Sequence, residues 1–225
     1  MKPSNLQLFI IVIISLLAIR CNKNTENNLT LMNRIDKIFN DYSKNHFIDE
    51  SLLDKYTVND INCASIDALL SKVYRNDQEV RTTGERDMRL VDSINLVTVN
   101  SIVKKCKNEV FSKNLSTKSY QAIFFTLQHS GDKDLMSYYY PILKKLINKE
   151  KISKTLLALY VDRFLGLENK KQIFGTQIKN NKLYKLEKPN EVNKRRKYIG
   201  LGNIEDYLKR FGLSFEEEVK NIHSN

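Results

Sequence analysis

The sequence predicts a mainly α protein: a single helical domain with a small β-hairpin near the C-terminus, preceded by a signal or lipoprotein segment. Three observations predict it. Apolar residues recur at three- and four-residue intervals along most of the chain. Asn180 and Asn181 separate two short apolar runs, the pattern of a tight hairpin turn. A twelve-residue apolar run from Leu8 to Ile19, broken only by Ser15, stands at the N-terminus; it is short for a membrane span, which needs roughly 20 apolar residues.

Lys2 precedes that run and Cys21 follows it, so residues 1–21 resemble the signal of a lipoprotein with Cys21 as the lipidated residue. Arg20 departs from the pattern, which prefers a small residue before the cysteine. The expected location is the cell envelope, with the domain facing periplasm or exterior and membrane contact through the N-terminal lipid anchor. A polar, Asn-rich tether occupies 22–28, and the helical domain is expected over 29–215.

With 225 residues there is room for one domain and an address segment. The content of 41% hydrophobic and 28% charged residues, with only 7 Gly and 3 Pro, describes a folded chain rather than a disordered one. Trp is absent, so 11 Tyr and 10 Phe must supply the large core side chains, and buried Tyr hydroxyls will need partners. The net charge is +11, spread along the chain and dominated by Lys. Solvated Lys faces explain it, and a nucleic-acid partner is not expected of an exported protein.

Leu31, Ile35, Ile38 and Tyr42 place a first helix near 29–45. Ile66, Leu69, Leu70 and Val73 place a second near 64–81, with Gly84 as its stop. The third is expected near 86–107, although Val97, Thr98 and Val99 would also suit a strand. Residues 108–117 read as a connection. Three more helices follow over 118–130, 133–148 and 153–166, punctuated by Gly131 and a turn at 149–151, and Pro141 should start or kink a helix. The hairpin is expected within 172–187. Two short helices close the domain, one over 190–198 ended by Gly200, the other running from Asn203 as N-cap to Gly212.

The cysteines, Cys21, Cys63 and Cys106, lack metal-ligand spacing, and no metal or cofactor is implied. Cys63 and Cys106 are left either as a disulfide or, the reading we favour at this point, as separate buried thiols.

No phosphate loop, nucleophile elbow, zinc-protease helix or dinucleotide fingerprint is present. Polar groups cluster instead at the ends of apolar stripes. Asp77, Gln78 and Arg81 lie within one helical turn in DQEVR. Gln128 and His129 follow the apolar AIFFTL, and His129 is the best general acid or base available. Asp162 and Arg163 continue LLALYV, where a charge facing the core must be satisfied, and Asp162 is the second candidate for catalysis. Gln172, Thr176 and Gln177 sit in QIFGTQ, and Arg195 and Arg196 offer forked donors.

This ordered set, extended by Asp92 and Asn95, by Ser130, by Gly200 and Leu201, and by Tyr207, resembles the domain of unknown function 6624 family, found in bacteria; the resemblance covers roughly 65–211. Phe174 departs from the Tyr usual there, and residues 108–112 depart from an expected Gly-Trp-Pro-like turn. The resemblance implies no activity, cofactor or substrate.

The expected function is binding of a polar or anionic ligand, or a peptide, at one concavity lined by Gln78, Arg81, Gln128, His129, Asp162, Arg163, Gln177 and Arg196. An enzyme of hydrolase or transferase type using His129 is the alternative, with Asp77 or Asp162 orienting the ring. A third reading makes the same groups a buried polar network with no ligand.

Overall fold

Helix-capping residues punctuate the chain at regular intervals. Asp87, Ser116, Asp132 and Ser153 each accept a backbone amide hydrogen bond at the start of a helix. The computed structural model describes residues 30–56, 60–84 and 87–223. The expectations for 1–28, including the signal segment, the tether and Cys21, lie outside these residues.

The chain divides into units of residues 1–42 and 43–225. The described part of the first is helix α1, which spans 30–45 and whose last residues belong to the second unit. In the second, a 3-10 turn at Glu50–Lys55 precedes five longer helices. These are α2 (Ile66–Thr83), α3 (Met88–Ser112), α4 (Thr117–His129), α5 (Lys133–Asn148) and α6 (Lys154–Leu167). Gly84 ends α2 in the left-handed conformation, φ 66°.

Hydrogen bonds fix the helix directions. Arg81, late in α2, bonds Asp92, early in α3, while Cys63 ahead of α2 is joined to Cys106 late in α3, so the two are antiparallel. Asp67 meets Ser119 and Asp77 meets His129, which makes α2 and α4 parallel. Tyr139 bonds Asn100 and Lys149 bonds the Phe111 carbonyl, so α3 and α5 are parallel. Lys133 at the start of α5 pairs with Glu168 at the end of α6. The C-terminal ends of α2, α4 and α6 therefore gather with the N-terminal ends of α3 and α5 at one end of the bundle.

Tyr120, Tyr139, Tyr160, Phe124 and Phe164 are the large side chains of the core. The Tyr hydroxyls find the partners their burial demands: Tyr139 donates to Asn100 Oδ1, Tyr160 to the Met136 carbonyl and Tyr120 to the Lys113 carbonyl.

Beyond α6, β1 (Ile178–Lys179) pairs antiparallel with β2 (Lys182–Leu183). Asn180 and Asn181 both take positive φ, 51° and 55°, as a two-residue hairpin turn requires. Next come α7 (Val192–Ile199), α8 (Ile204–Lys209) and α9 (Phe215–His223). Leu183, Leu186, Val192, Ile204 and Leu208 form a small core of their own under the hairpin.

The structure corrects the sequence reading at five points. Helix α3 continues through 108–112: Val103, Cys106 and Val110 keep a buried stripe across a non-helical residue at Cys106 (φ -123°, ψ 27°). The strand alternative at 97–99 is helix, with Val99 in the core. Pro141 does not start a helix but lies inside α5. Cys63 and Cys106 form a disulfide rather than two thiols. Residues beyond 215 add helix α9, whose first turn carries three Glu and so showed little apolar period. Asn203 stands at the N-cap of α8, but its side chain makes no capping bond. Among the described residues, no helix is long and apolar enough to cross a membrane.

Candidate functional site

The end of the bundle where α2, α3 and α4 meet holds one polar network. His129, in the last turn of α4, places Nδ1 2.9 Å from Oδ1 of Asp77 on α2. The same oxygen accepts Arg81 Nε at 3.0 Å, and Gln78 Nε2 donates to Oδ2 at 2.8 Å. Arg81 Nη2 extends the network to Asp92 of α3 at 2.7 Å. Asp77 is buried, its side chain 2% exposed, whereas that of His129 is 23% exposed and its ring stacks in parallel on Phe125. Burial alone would raise the Asp77 carboxyl, but the bond and charge of His129, with Arg81 and Gln78, outweigh it and hold the group below the ordinary carboxylate value.

Such an arrangement fixes the imidazole. Nδ1 is tied to a buried carboxylate, and Nε2 has no hydrogen-bond partner among the described residues. A carboxylate behind a histidine sets its tautomer and orients the ring, the geometry a proton-exchanging or ligand-holding histidine uses.

A second network lies around the hairpin. Asp162 is fully buried and its two oxygens accept the amides of Ile173, Phe174 and Thr176 and the hydroxyl of Thr176. Burial pushes this carboxyl up, with the three amides and the hydroxyl pulling the other way. Gln172, also fully buried, donates to the carbonyls of Gln177 and Tyr184 and accepts the Gln177 amide. Arg195 bonds the carbonyls of Ile173 and Glu187, and Arg196 those of Phe174 and Gly202 while packing on the Tyr207 ring. The Tyr207 hydroxyl donates to the Thr176 carbonyl. At Gly175, φ is 70°, a conformation strained for other residues, and a Cβ would also push Ile204 Cδ1, 2.6 Å away, aside.

The expected single site thus divides. Asp77, Gln78, Arg81 and His129 come together, and no hydrogen bond among the described residues joins His129 to Asp162. Asp162, placed by the sequence as a catalytic partner of His129, is instead the anchor of the 173–176 segment, because three amides and a hydroxyl occupy its oxygens. Gln172, Thr176, Arg195 and Arg196, expected to bind ligand, are likewise engaged with backbone or with Asp162 and hold the hairpin onto α6, α7 and α8. It is Asp77 that orients the ring.

Arg163 and Gln177 take a different position. With Lys179 and Tyr184 they line a pocket of about 220 Å³ beside the end of α6, and Arg163 is exposed. Gln128 precedes His129 at this end of the bundle; Phe124, one turn earlier on its face, packs on Tyr160 of α6, which directs Gln128 toward the α6 side.

Asp92, Phe125, Lys179 and Tyr184 were not singled out as site residues from sequence. Asp92 stood within the family pattern, which was the available signal; it lies on α3, the helix after the one that carries Arg81. Asp77, Asp92 and His129 bring one potential metal ligand each to within 4.8 Å. Three separate helices supply them, which linear spacing does not reveal. Arg81 already bridges the two carboxylates, so a cation would compete with its guanidinium.

The model of a family of unknown function (DUF6624) matches residues 81–220, a span that takes in Arg81, Asp92, His129 and the whole hairpin network. No curated protein and no solved structure matches the chain.

Proposed function

Since the chain belongs to DUF6624, a family of unknown function, we propose a role from the site itself: an envelope-associated protein that binds a polar ligand at the outward edge of His129. The observation that carries this reading is the 2.9 Å contact between His129 Nδ1 and the buried Asp77, which leaves Nε2 as the atom available to a ligand. Asp77, Asp92 and Arg81 together leave this network with one excess negative charge when His129 is neutral, which suits a neutral or donor-rich group there. The pocket of Arg163 and Lys179 at the end of α6 suits an anionic group.

Acid–base catalysis is the second reading, and the same contact favours it. A histidine backed by a carboxylate can exchange a proton through Nε2, as general base when neutral and general acid when charged. Among the described residues, no Ser or Cys hydrogen-bonds His129, so binding takes precedence.

Screening the full chain against polar metabolites and short peptides by thermal shift tests the proposal. A ligand at a hundredfold excess over its dissociation constant stabilises by about 2.7 kcal/mol. The expected hit raises the melting temperature of the wild type and not of His129→Ala. Hits that stabilise both proteins equally would remove His129 from the site.

Envelope association rests on separate support. The Cys63–Cys106 disulfide suits an oxidising compartment, and the apolar run from Leu8 to Ile19, two residues before Cys21, suits a lipid anchor. Mass spectrometry of membrane-extracted protein should find acylated Cys21, whereas intact residues 1–20 on the mature chain would contradict it.

A further inference from the structure

A groove of about 650 Å³ runs along α2 beside the start of α4, outside the His129 network but touching it. Asp67, Ser71, Tyr74 and Gln78 lie along one stripe of α2 and line it. From Asp67 to Thr82, at its far end, the helix rises about 22 Å, the length of several sugar rings end to end. Gln78 belongs to both places: its Nε2 is held by Asp77, and its Oε1 has no partner among the described residues. Tyr74 continues the connection, with its ring 6.2 Å from Phe125, on which His129 stacks.

We propose that this groove binds a neutral oligosaccharide, one end of which reaches His129. The inference rests on the reading of His129 as a ligand contact and names the class of ligand. Three features select the chemistry. The groove offers acceptors toward its two ends, Asp67 Oδ2 beyond the oxygen taken by Ser116 and Ser119, and Gln78 Oε1, with the Ser71 hydroxyl, bonded to Ser119, between them. Acceptors spread along the helix suit hydroxyl donors carried on successive sugar rings. Tyr74 offers an aromatic face with a polar tip, suited to the apolar face of a pyranose ring. Its charged lining residues cancel, Asp67 and Glu79 against Arg75 and Lys118, which favours a ligand without net charge.

An extended peptide fits less well. The walls are helices whose backbone groups are satisfied internally, so there is no strand edge to pair with, and the stripe lacks the apolar anchors an amphipathic helix would need.

Isothermal titration of the full chain with cellotetraose, maltotetraose and the tetramer of N-acetylglucosamine, against a capped neutral tetrapeptide, tests the inference. At least one tetrasaccharide should bind and the peptide should not. Tyr74→Ala should weaken that binding about tenfold or more, Tyr74→Phe should restore most of it, and Ser71→Leu, which fills the groove beside Tyr74 and removes only a hydroxyl bonded to Ser116 and Ser119, should also weaken it. Absence of saccharide binding, preference for the peptide, or binding indifferent to both groove variants would overturn it. Including His129→Ala separates the two proposals. Saccharide binding lost in His129→Ala but not in the groove variants leaves the histidine site and refutes the groove; the reverse leaves the groove and refutes the histidine site.

Discussion

Oδ2 of Asp162 accepts both the amide and the hydroxyl of Thr176, at 2.9 Å and 3.0 Å, so a helix carboxylate closes the loop that begins the hairpin. The amides of Ile173 and Phe174 add to it at Oδ1. Asp162→Ala would strand these donors in a site with no water access, and unsatisfied buried groups cost about 1–3 kcal/mol each. Urea denaturation should show a loss of about 3–5 kcal/mol. A loss within about 0.5 kcal/mol, typical of a surface substitution, would contradict the anchoring role.

The Cys63–Cys106 disulfide closes a loop with a sequence separation of 43 and fastens the start of α2 to the kink in α3. Loop-closure entropy assigns such a bridge about 4 kcal/mol. Replacing both cysteines by Ala should lower the denaturant midpoint accordingly, and adding reductant to the wild type should reproduce the shift. Equal midpoints in oxidised and reduced protein would contradict it.

Much of this fold is legible in the sequence because its signals are local. Apolar spacing found α2, α4, α5 and α6 within a few residues, and Gly84, Gly200 and the Asn180–Asn181 turn fell where positive φ was required. What escaped depends on partners distant in sequence. Residues 108–112 read as part of a connection, but packing of Val110 carries α3 on through them. Asp77 and Asp162 are both carboxylates near the ends of apolar helices. Only the structure shows that the first meets a histidine and the second a row of amides.

Acid should weaken the His129 network in a defined direction. The folded-state pKa of Asp77 lies below its ordinary value of about 4. The folded protein therefore binds fewer protons at this group than the unfolded chain does, and the stabilisation is fully present above about pH 4 and lost as pH falls through the folded value. Stability measured by denaturation from neutral to acid pH should fall less steeply below about pH 4 in Asp77→Asn than in the wild type. Identical acid limbs would show that Asp77 is not held by this network.

Which nitrogen of His129 carries the proton decides whether Asp77 presents the ring to a ligand, and long-range proton–nitrogen correlation spectra of the full chain read this directly. At a pH where the ring is neutral, the proton should reside on Nδ1, donated to Asp77, with Nε2 unprotonated and open; Asp77→Ala should abolish that preference. A neutral ring protonated on Nε2 in the wild type, or a tautomer unchanged by Asp77→Ala, would contradict the claim that Asp77 presents His129 to a ligand.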